Sequence, residues 1–305
     1  MERGKIVAIA EGLAAVIVWG ASFIATKIAL RDVSPLTVVW TRFAIGTLVL
    51  VVFAAARRER VRISPRDLAA CALLGLQGIT FHQWLQSTAL VTSSAATSGW
   101  IVASTPVFIA VLGWLVIGER LSAAQAAGIG LAAAGVLLVV TRGDVTQLMH
   151  GRFGAPGDIL IVLSAPNWAI FSVLSRGMLR RHSAALLVLL VTVAGWLGSS
   201  VLLAAGPGLG ELTRITAHGW VAIVFLGVLC SGAAYIFWFD ALKALSASRA
   251  GAFLYLEPIV AQLVAAAVLG EAIHAVTVTG GIVVLAGVWL VNREGPATPP
   301  TPAEA

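Results

Sequence analysis

Apolar residues along this chain come in unbroken blocks rather than in stripes. Ten blocks stand at about 6–29, 35–55, 68–90, 94–117, 122–141, 157–179, 184–205, 217–242, 248–269 and 274–292. Each is long enough to cross ~30 Å of hydrocarbon as a helix at a rise of ~1.5 Å per residue. None alternates with the two-residue period of a lipid-facing β-strand. The pattern predicts an all-α integral membrane protein with ten transmembrane helices. The first block carries Glu11 and Lys27 and has no small-residue cleavage site near its end, so it reads as a retained helix rather than a signal peptide.

The pattern is also written twice. "STPVFIAVLGWLVIGERLSAAQAAGIGLAAAGVLLVV" from Ser104 and "LEPIVAQLVAAAVLGEAIHAVTVTGGIVVLAGVWLV" from Leu256 place Pro106 with Pro258, Gly118-Glu119 with Gly270-Glu271, Gly128 with Gly280 and Gly135 with Gly287, all 152 apart. Leu74-Gly75 and Leu226-Gly227, Ala89-Leu90 and Ala241-Leu242, and Gly99 and Gly251 keep that offset. Further upstream Trp19, Lys27 and Leu30 match Trp168, Arg176 and Leu179 at 149. Residues 1–141 (helices 1–5) are thus expected to repeat as residues 157–292 (helices 6–10). Five crossings is an odd number, so the second half enters the membrane from the opposite side. Two inverted-topology repeats are an arrangement used by secondary transporters, because exchanging the conformations of the halves turns an inward-open state outward.

Composition agrees with the blocks. Hydrophobic residues make up 59% and charged residues 11%, against about 25% charged in soluble domains, and the mean hydropathy is +0.96. The net charge of +6 raises the question of a nucleic-acid partner, but its distribution answers it. With the N-terminus inside, fourteen Lys and Arg fall in inner segments, Arg57, Arg58, Arg60, Arg62 and Arg66 forming the densest run. Only Arg31, Arg142, Arg152 and Arg214 fall outside. That bias follows the positive-inside rule and places both termini in the cytoplasm of a bacterial inner (plasma) membrane, with no nucleic acid needed. Cys71 and Cys230 lie within helices without metal-ligand spacing. The Pro- and Ala-rich segment 293–305 lacks bulky apolar residues and is expected to be a disordered tail.

The segments "VIVWGASFIATKIAL" at 16–30, "SPLTVVWTRFAIGTLVL" at 34–50, "TSSAATSGWIVASTPVF" at 92–108 and "SASRAGAFLYLEPIVAQLVAAAVLGE" at 246–271 resemble the EamA repeats of the drug/metabolite transporter superfamily. The resemblance runs from residue 6 to about 292. It implies a ten-helix exporter of small metabolites, amino acids or amphiphilic drugs, with a central cavity formed by helices other than 5 and 10. It names no substrate.

Ionisable residues inside the blocks are the first candidates for chemistry, since each offsets several leucines on insertion. Glu257 lies mid-block beside Pro258, where the missing backbone donor loosens the helix. It reads either as a carboxylate for an amine or a coupling proton, or as a structural group bonded to freed backbone or to Arg42. Glu11, near the inner end of helix 1, reads as a cavity-mouth glutamate or a coupling group. Arg42, two turns into helix 2, reads as the partner of a carboxylate in the chain or, alternatively, of a substrate carboxylate. Pro106 and Pro258 read as hinges. Lys27 reads as a snorkelling residue. Helix 3 is the most polar, and an α-helical count puts Gly75, Gly78, His82 and Gln86 on one face. Trp100, Trp168 and Tyr235 would add the aromatic wall of an amphiphilic substrate site. Trp114, Trp220 and Trp289 read as interfacial anchors, and Trp84 as packing.

Helices 5 and 10 are rich in small residues and almost free of polar ones, which fits a scaffold seam or the interface of a homodimer, the chain otherwise acting as a monomer. No cofactor or metal is implied. The absence of a GxxxxGK[ST] phosphate loop excludes an ATP-driven pump within the chain, and the lack of HExxH or His-rich boxes argues against an enzyme. Amino-acid export, of aromatic or large apolar members in particular, is the favoured expectation. Efflux of amphiphilic or cationic drugs by proton antiport is the alternative, and a polytopic membrane enzyme the remaining one.

Overall fold

The computed structural model describes residues 2–57, 63–112, 114–115, 122–144, 146, 150, 153–179, 181–206, 208–244 and 253–292. The expected tail, the Gly118-Glu119 pair and Gly251 lie outside the described residues. Among the described residues ten apolar helices succeed one another: α1 (Glu2–Ala29), α2 (Pro35–Ala56), α3 (Pro65–Ala89), α4 (Ala95–Leu112), α5 (Ala123–Thr141), α6 (Pro156–Leu179), α7 (Ala184–Ala205), α8 (Ala217–Trp238), α9 (Leu254–Leu269) and α10 (Ala275–Asn292). All but α9 have at least 18 residues. No strand occurs among the described residues.

The helices start where the chain can satisfy their free N–H groups. Ser34, Ser64, Ser94, Ser122, Ser183 and Thr216 each accept a backbone N–H from the first turn of the next helix. Pro35 and Pro65 stand at the first helical positions, where no donor is required. The lipid face needs only apolar bulk, and Leu48, Val52, Leu73, Val201, Val221 and Leu263 are exposed there. Trp114, Trp220 and Trp289 are also exposed, at helix ends, as expected of interfacial anchors. Trp84 faces outward beside Phe81.

Close contacts recur in exchanged pairs. A Cβ on Gly128 would stand 2.7 Å from the Gly287 carbonyl, and one on Gly280 3.1 Å from that of Gly135. These are the same contact with the repeat mates swapped, and they press α5 against α10. Across α2 and α8, a Cβ on Gly227 would stand 3.0 Å from the Arg42 carbonyl and one on Gly46 3.3 Å from the Gly227 carbonyl. The mates repeat this across α3 and α7, where a Cβ on Gly75 would stand 2.5 Å from the Val191 carbonyl and one on Gly195 2.7 Å from the Gly75 carbonyl. The small residues of α5 and α10 thus face each other within the chain.

The two ends of the bundle are tied by charge. The end bearing Arg57, Asp67 and Arg181 is the inner one on the charge reading. There Arg57 pairs with Asp240 at 2.7 Å, and Asp67 with Arg181 at 2.9 Å and His182 at 3.0 Å. At the opposite end carboxylates cap helices from other parts of the chain. Asp32 accepts from the backbone N–H (2.9 Å) and hydroxyl (2.7 Å) of Thr216 at the start of α8. Glu211 accepts from the Ser34 N–H (2.9 Å) and Thr37 hydroxyl (2.6 Å) at the start of α2. Glu271 accepts from the N–H groups of Ala95 and Ala96 at 3.0 and 3.1 Å, where the α4 dipole favours negative charge. Lys27 reaches toward the same end of the bundle. Its Nζ donates to the Ser93 carbonyl at 2.6 Å and lies 3.9 Å from Glu271.

Partial burial alone would raise the pKa of Glu211, but the Thr37 and Ser34 hydrogen bonds outweigh it and hold the carboxyl below its ordinary 4.5. A lowered folded-state pKa contributes stability that is present above the unfolded value and lost as pH falls through the folded one. Thermal unfolding of the purified protein is therefore expected to show a loss of stability below about pH 4.5, and Glu211→Gln should remove that component of the pH dependence. An unchanged acid limb in the variant would refute the assignment.

Candidate functional site

Helices α3 and α8 are not α-helical throughout. Each passes through wide π turns at matching places, Leu76–Phe81 and Phe225–Ala233, a feature frequent at functional sites. The extra residue rotates the remainder of each helix. Gly75 packs against α7, whereas Gly78 meets Phe171 of α6 and His82 and Gln86 also turn to α6. The single face expected from a regular helix is therefore split, with Gly75 off it.

After the turns, polar and aromatic groups from five helices converge. Arg42 of α2 is 6% exposed. Its Nε donates to the Ser231 hydroxyl of α8 at 3.1 Å and its Nη1 to Gln83 Oε1 of α3 at 3.3 Å. The His82 ring lies 4.9 Å from that of Trp168, itself 4.9 Å from Phe171. Gln77 donates to the Asn167 carbonyl at 2.8 Å, and Gln86 approaches the Ser164 hydroxyl at 3.5 Å. On the other side Trp19 of α1 donates to the Cys230 carbonyl at 3.2 Å and stands 5.6 Å from both Tyr235 and Trp238. Trp19 and Trp168 are repeat mates, but Tyr235 and Trp238 are the mates of Gln83 and Gln86. The same framework is thus aromatic on one side and amide-rich on the other.

Several groups here are left wanting. Gln77 Oε1 is buried without a hydrogen-bond partner, and the His82 ring and the Asn167 side chain meet only each other, outside good hydrogen-bond geometry. An unsatisfied buried polar group costs about 1–3 kcal/mol, so an unpartnered amide oxygen beside a poorly aligned His–Asn pair marks a place that a polar ligand or water would stabilise.

The remaining candidates lie elsewhere. Glu257 is half-buried on α9 and has neither a hydrogen bond nor an ion pair among the described residues, so the expected structural pairing with Arg42 does not form. Its backbone carbonyl faces Gly20 of α1, where a Cβ would stand 2.7 Å away. Pro106 and Pro258 both begin the second segment of a broken helix. In α4 the carbonyl that Pro106 frees, Val102, accepts the Thr105 hydroxyl at 2.7 Å. In α9 a 3-10 turn at Leu254–Leu256 precedes Glu257 and Pro258. Trp100 does not join the central cluster. It is buried against Gly281 of α10, and its Nε1 donates to Gln262 of α9 at 3.3 Å. Glu11 is half-buried near the inner end, within electrostatic reach of Asp240 and Arg57. A small cleft of about 20 Å³ between α2, α7 and α8 opens beside that pair and has Tyr235 in its wall. Gln83, Gln77 and Gln262 were not singled out from the sequence, although an amide inside an apolar block is itself a signal. Asp158, buried at the start of α6 and bonded to Ser93 and the Ala155 N–H, was likewise missed.

Among the described residues, no group of three His, Cys, Asp or Glu side chains is arranged to hold a metal. Comparison with known proteins agrees with this architecture. A solved crystal structure superposes with a TM-score of 0.67 over 93% of this chain and 95% of that one, at 22% identity. An uncharacterized transporter of Archaeoglobus fulgidus is 28% identical over 280 residues, 91% of this chain and 94% of that protein. A probable terminal-alkyne amino-acid exporter of Streptantibioticus cattleyicolor is 28% identical over 280 residues, 91% of each. An uncharacterized transporter of Bacillus subtilis, YdfC, is 27% identical over 272 residues, 88% of this chain and 86% of that protein. The EamA-like transporter family model matches twice, at 6–141 and 155–293, once over each set of five helices. With two family matches spanning almost its whole length, the chain belongs to the EamA-like transporter family and is a multi-pass membrane transporter, not an enzyme.

Proposed function

We propose that the protein exports amino acids, aromatic or large apolar ones in particular, across the bacterial inner membrane by alternating access of its two halves. The observation that carries this reading is the membrane-buried cluster around His82, Trp168, Trp19 and Tyr235, where unsatisfied polar groups stand beside aromatic rings. An amino acid needs both, polar partners for its backbone and an apolar wall for its side chain. The exchanged helix contacts support the mechanism, since the α2–α8 crossing between the halves has a counterpart in the α3–α7 crossing, whose geometry it can adopt. The amino-acid exporter among the relatives points the same way. Both termini are assigned to the cytoplasm on the charge bias, and the chain acts as a monomer, because the small faces of α5 and α10 are occupied by each other. The half-buried Glu257 favours a second reading, efflux of amphiphilic cations, for which it would be the counter-charge. Proteoliposomes pre-loaded with a mixture of amino acids and organic cations decide between them. Selective loss of a few amino acids, followed by mass spectrometry, is the expected result. Loss of cations alone would replace the first reading with the second, and no release from folded protein would refute both.

A further inference from the structure

Among the described residues Arg42 is the one charge in the central cluster, and no counter-charge stands beside it. Among the described residues no carboxylate lies within salt-bridge distance of its guanidinium. Its two hydrogen-bond partners, Ser231 and Gln83, are neutral. A guanidinium has five N–H donors in a planar fork, so most of its capacity is unused in a place from which water is largely excluded. Packing does not require it. At the equivalent crossing of α7 and α3 the mate of Arg42 is Val191, and that crossing is as close with no charge present. We propose that Arg42 is the seat of a substrate carboxylate, which takes up the fork in a bidentate pair while the substrate's apolar body lies toward Trp19, Tyr235 and Trp238.

The chemistry favours a carboxylate over other anions. The fork matches the two oxygens of a planar carboxylate, and a single cation would leave the further charge of a phosphate dianion unpaired. The Trp19–Tyr235–Trp238 rings are grouped on the α8 side of Arg42, next to Ser231. The ligand class is therefore a monocarboxylate with an apolar or aromatic body. The proposal deepens the exporter reading, on which its transport arm rests, but its binding arm stands apart.

The test uses the full chain in lipid nanodiscs with three probes: L-phenylalanine, phenylacetate and phenylethylamine. Calorimetric binding to the wild type should favour both carboxylates over the amine by about 100-fold, the range lost when one partner of a buried charge pair is removed. Arg42→Met should abolish that preference, bringing the three probes within a few-fold of one another. Arg42→Lys keeps the charge and loses the fork. It should weaken the carboxylates by about 10-fold and leave the amine unchanged, and it carries the test if the Met variant does not fold. A wild type without carboxylate preference, a wild type that binds none of the three, or an Arg42→Lys variant that weakens all probes equally would overturn the proposal. Amino-acid release from proteoliposomes without carboxylate selectivity would refute the seat and leave the exporter reading standing. Arg42-dependent carboxylate binding without amino-acid release would do the reverse.

Discussion

Replacing Glu257 by glutamine is expected to abolish the response of export to an imposed proton gradient while leaving substrate exchange in place. The expectation rests on what the structure does not provide for this side chain. Glu257 is half-buried in α9, beside the break at Pro258, with no hydrogen bond or ionic partner among the described residues. An acidic group in mid-membrane costs about 2.5–3.5 kcal/mol on insertion scales. With no fixed cation to neutralise it, only a mobile one can, either a proton or a substrate amine. Glutamine keeps the shape and removes the capacity to bind that cation. Gradient-driven release should then fall by at least about 10-fold, and counterflow of labelled substrate at equal pH should stay within about 3-fold, since an effect of 1.4 kcal/mol corresponds to one decade. The repeat mate of Glu257 is Thr105, whose hydroxyl is spent on the Val102 carbonyl, so the framework offers one such carboxylate and not two. The ratio of protons to substrate measured in the same vesicles should accordingly not exceed one. Gradient-driven release that survives in the variant would show that the coupling charge is held elsewhere, and Glu11, near Arg57 and Asp240, would be the next group to replace.

The membrane architecture was legible in the sequence because its cause is local. A run of apolar residues long enough to cross the bilayer has to become a helix, since only a helix satisfies its own backbone there. The repeat was legible for a similar reason, as Pro106 and Pro258, or Gly128 and Gly280, keep their offset whatever they touch. The directions in which side chains point were not. The π turns in α3 and α8 have no composition of their own, yet they rotate Gly75 away from His82 and Gln86 and bring Tyr235 opposite Trp19. Trp100 looked like a wall of the site because it lies far from helix ends, but the mid-helix Gly281 of α10 makes room for its ring and draws it into a packing seam. Partnerships across long separations were equally hidden. Arg57 with Asp240, Glu211 with Thr37, and Arg42 with Ser231 each join residues more than 170 positions apart, and charge alone could not choose among the available mates. Gln77, Gln83 and Gln262 were overlooked because an amide carries no formal charge to count.

The same glycine contacts that reveal the repeat predict the largest loss of stability. Gly195→Leu is expected to prevent stable assembly of α7 against α3, whereas Gly130→Leu should be tolerated. Gly195 meets Ile79 and the carbonyl of Gly75, and a Cβ there would stand 2.7 Å from that oxygen. The obstacle is partly backbone, so no rotamer change relieves it and the two helices have to separate. Overpacking costs typically about 1–3 kcal/mol, and the upper end applies because separation also removes contacts along the rest of the crossing. Gly130 lies on the lipid side of α5 with nothing within 4 Å of the added carbon, where leucine meets only hydrocarbon and is also the better helix former by about 0.8–1.0 kcal/mol. Thermal unfolding of the two variants in the same detergent tests the contrast, and equal losses would mean that the crossing is not as close as the structure has it. Gly46→Leu adds the functional half of the argument. It changes the counterpart crossing of α2 with α8, next to Arg42 and Ser231. If the paired crossings are the surfaces on which the halves exchange conformations, both variants should leave whatever protein folds trapped on one side of the cycle. The trapped sides should be opposite, read as labelling of an engineered cysteine beside Tyr235 from one face of the membrane only. Labelling from the same face in both would separate the repeat, as a fact of architecture, from alternating access as its use.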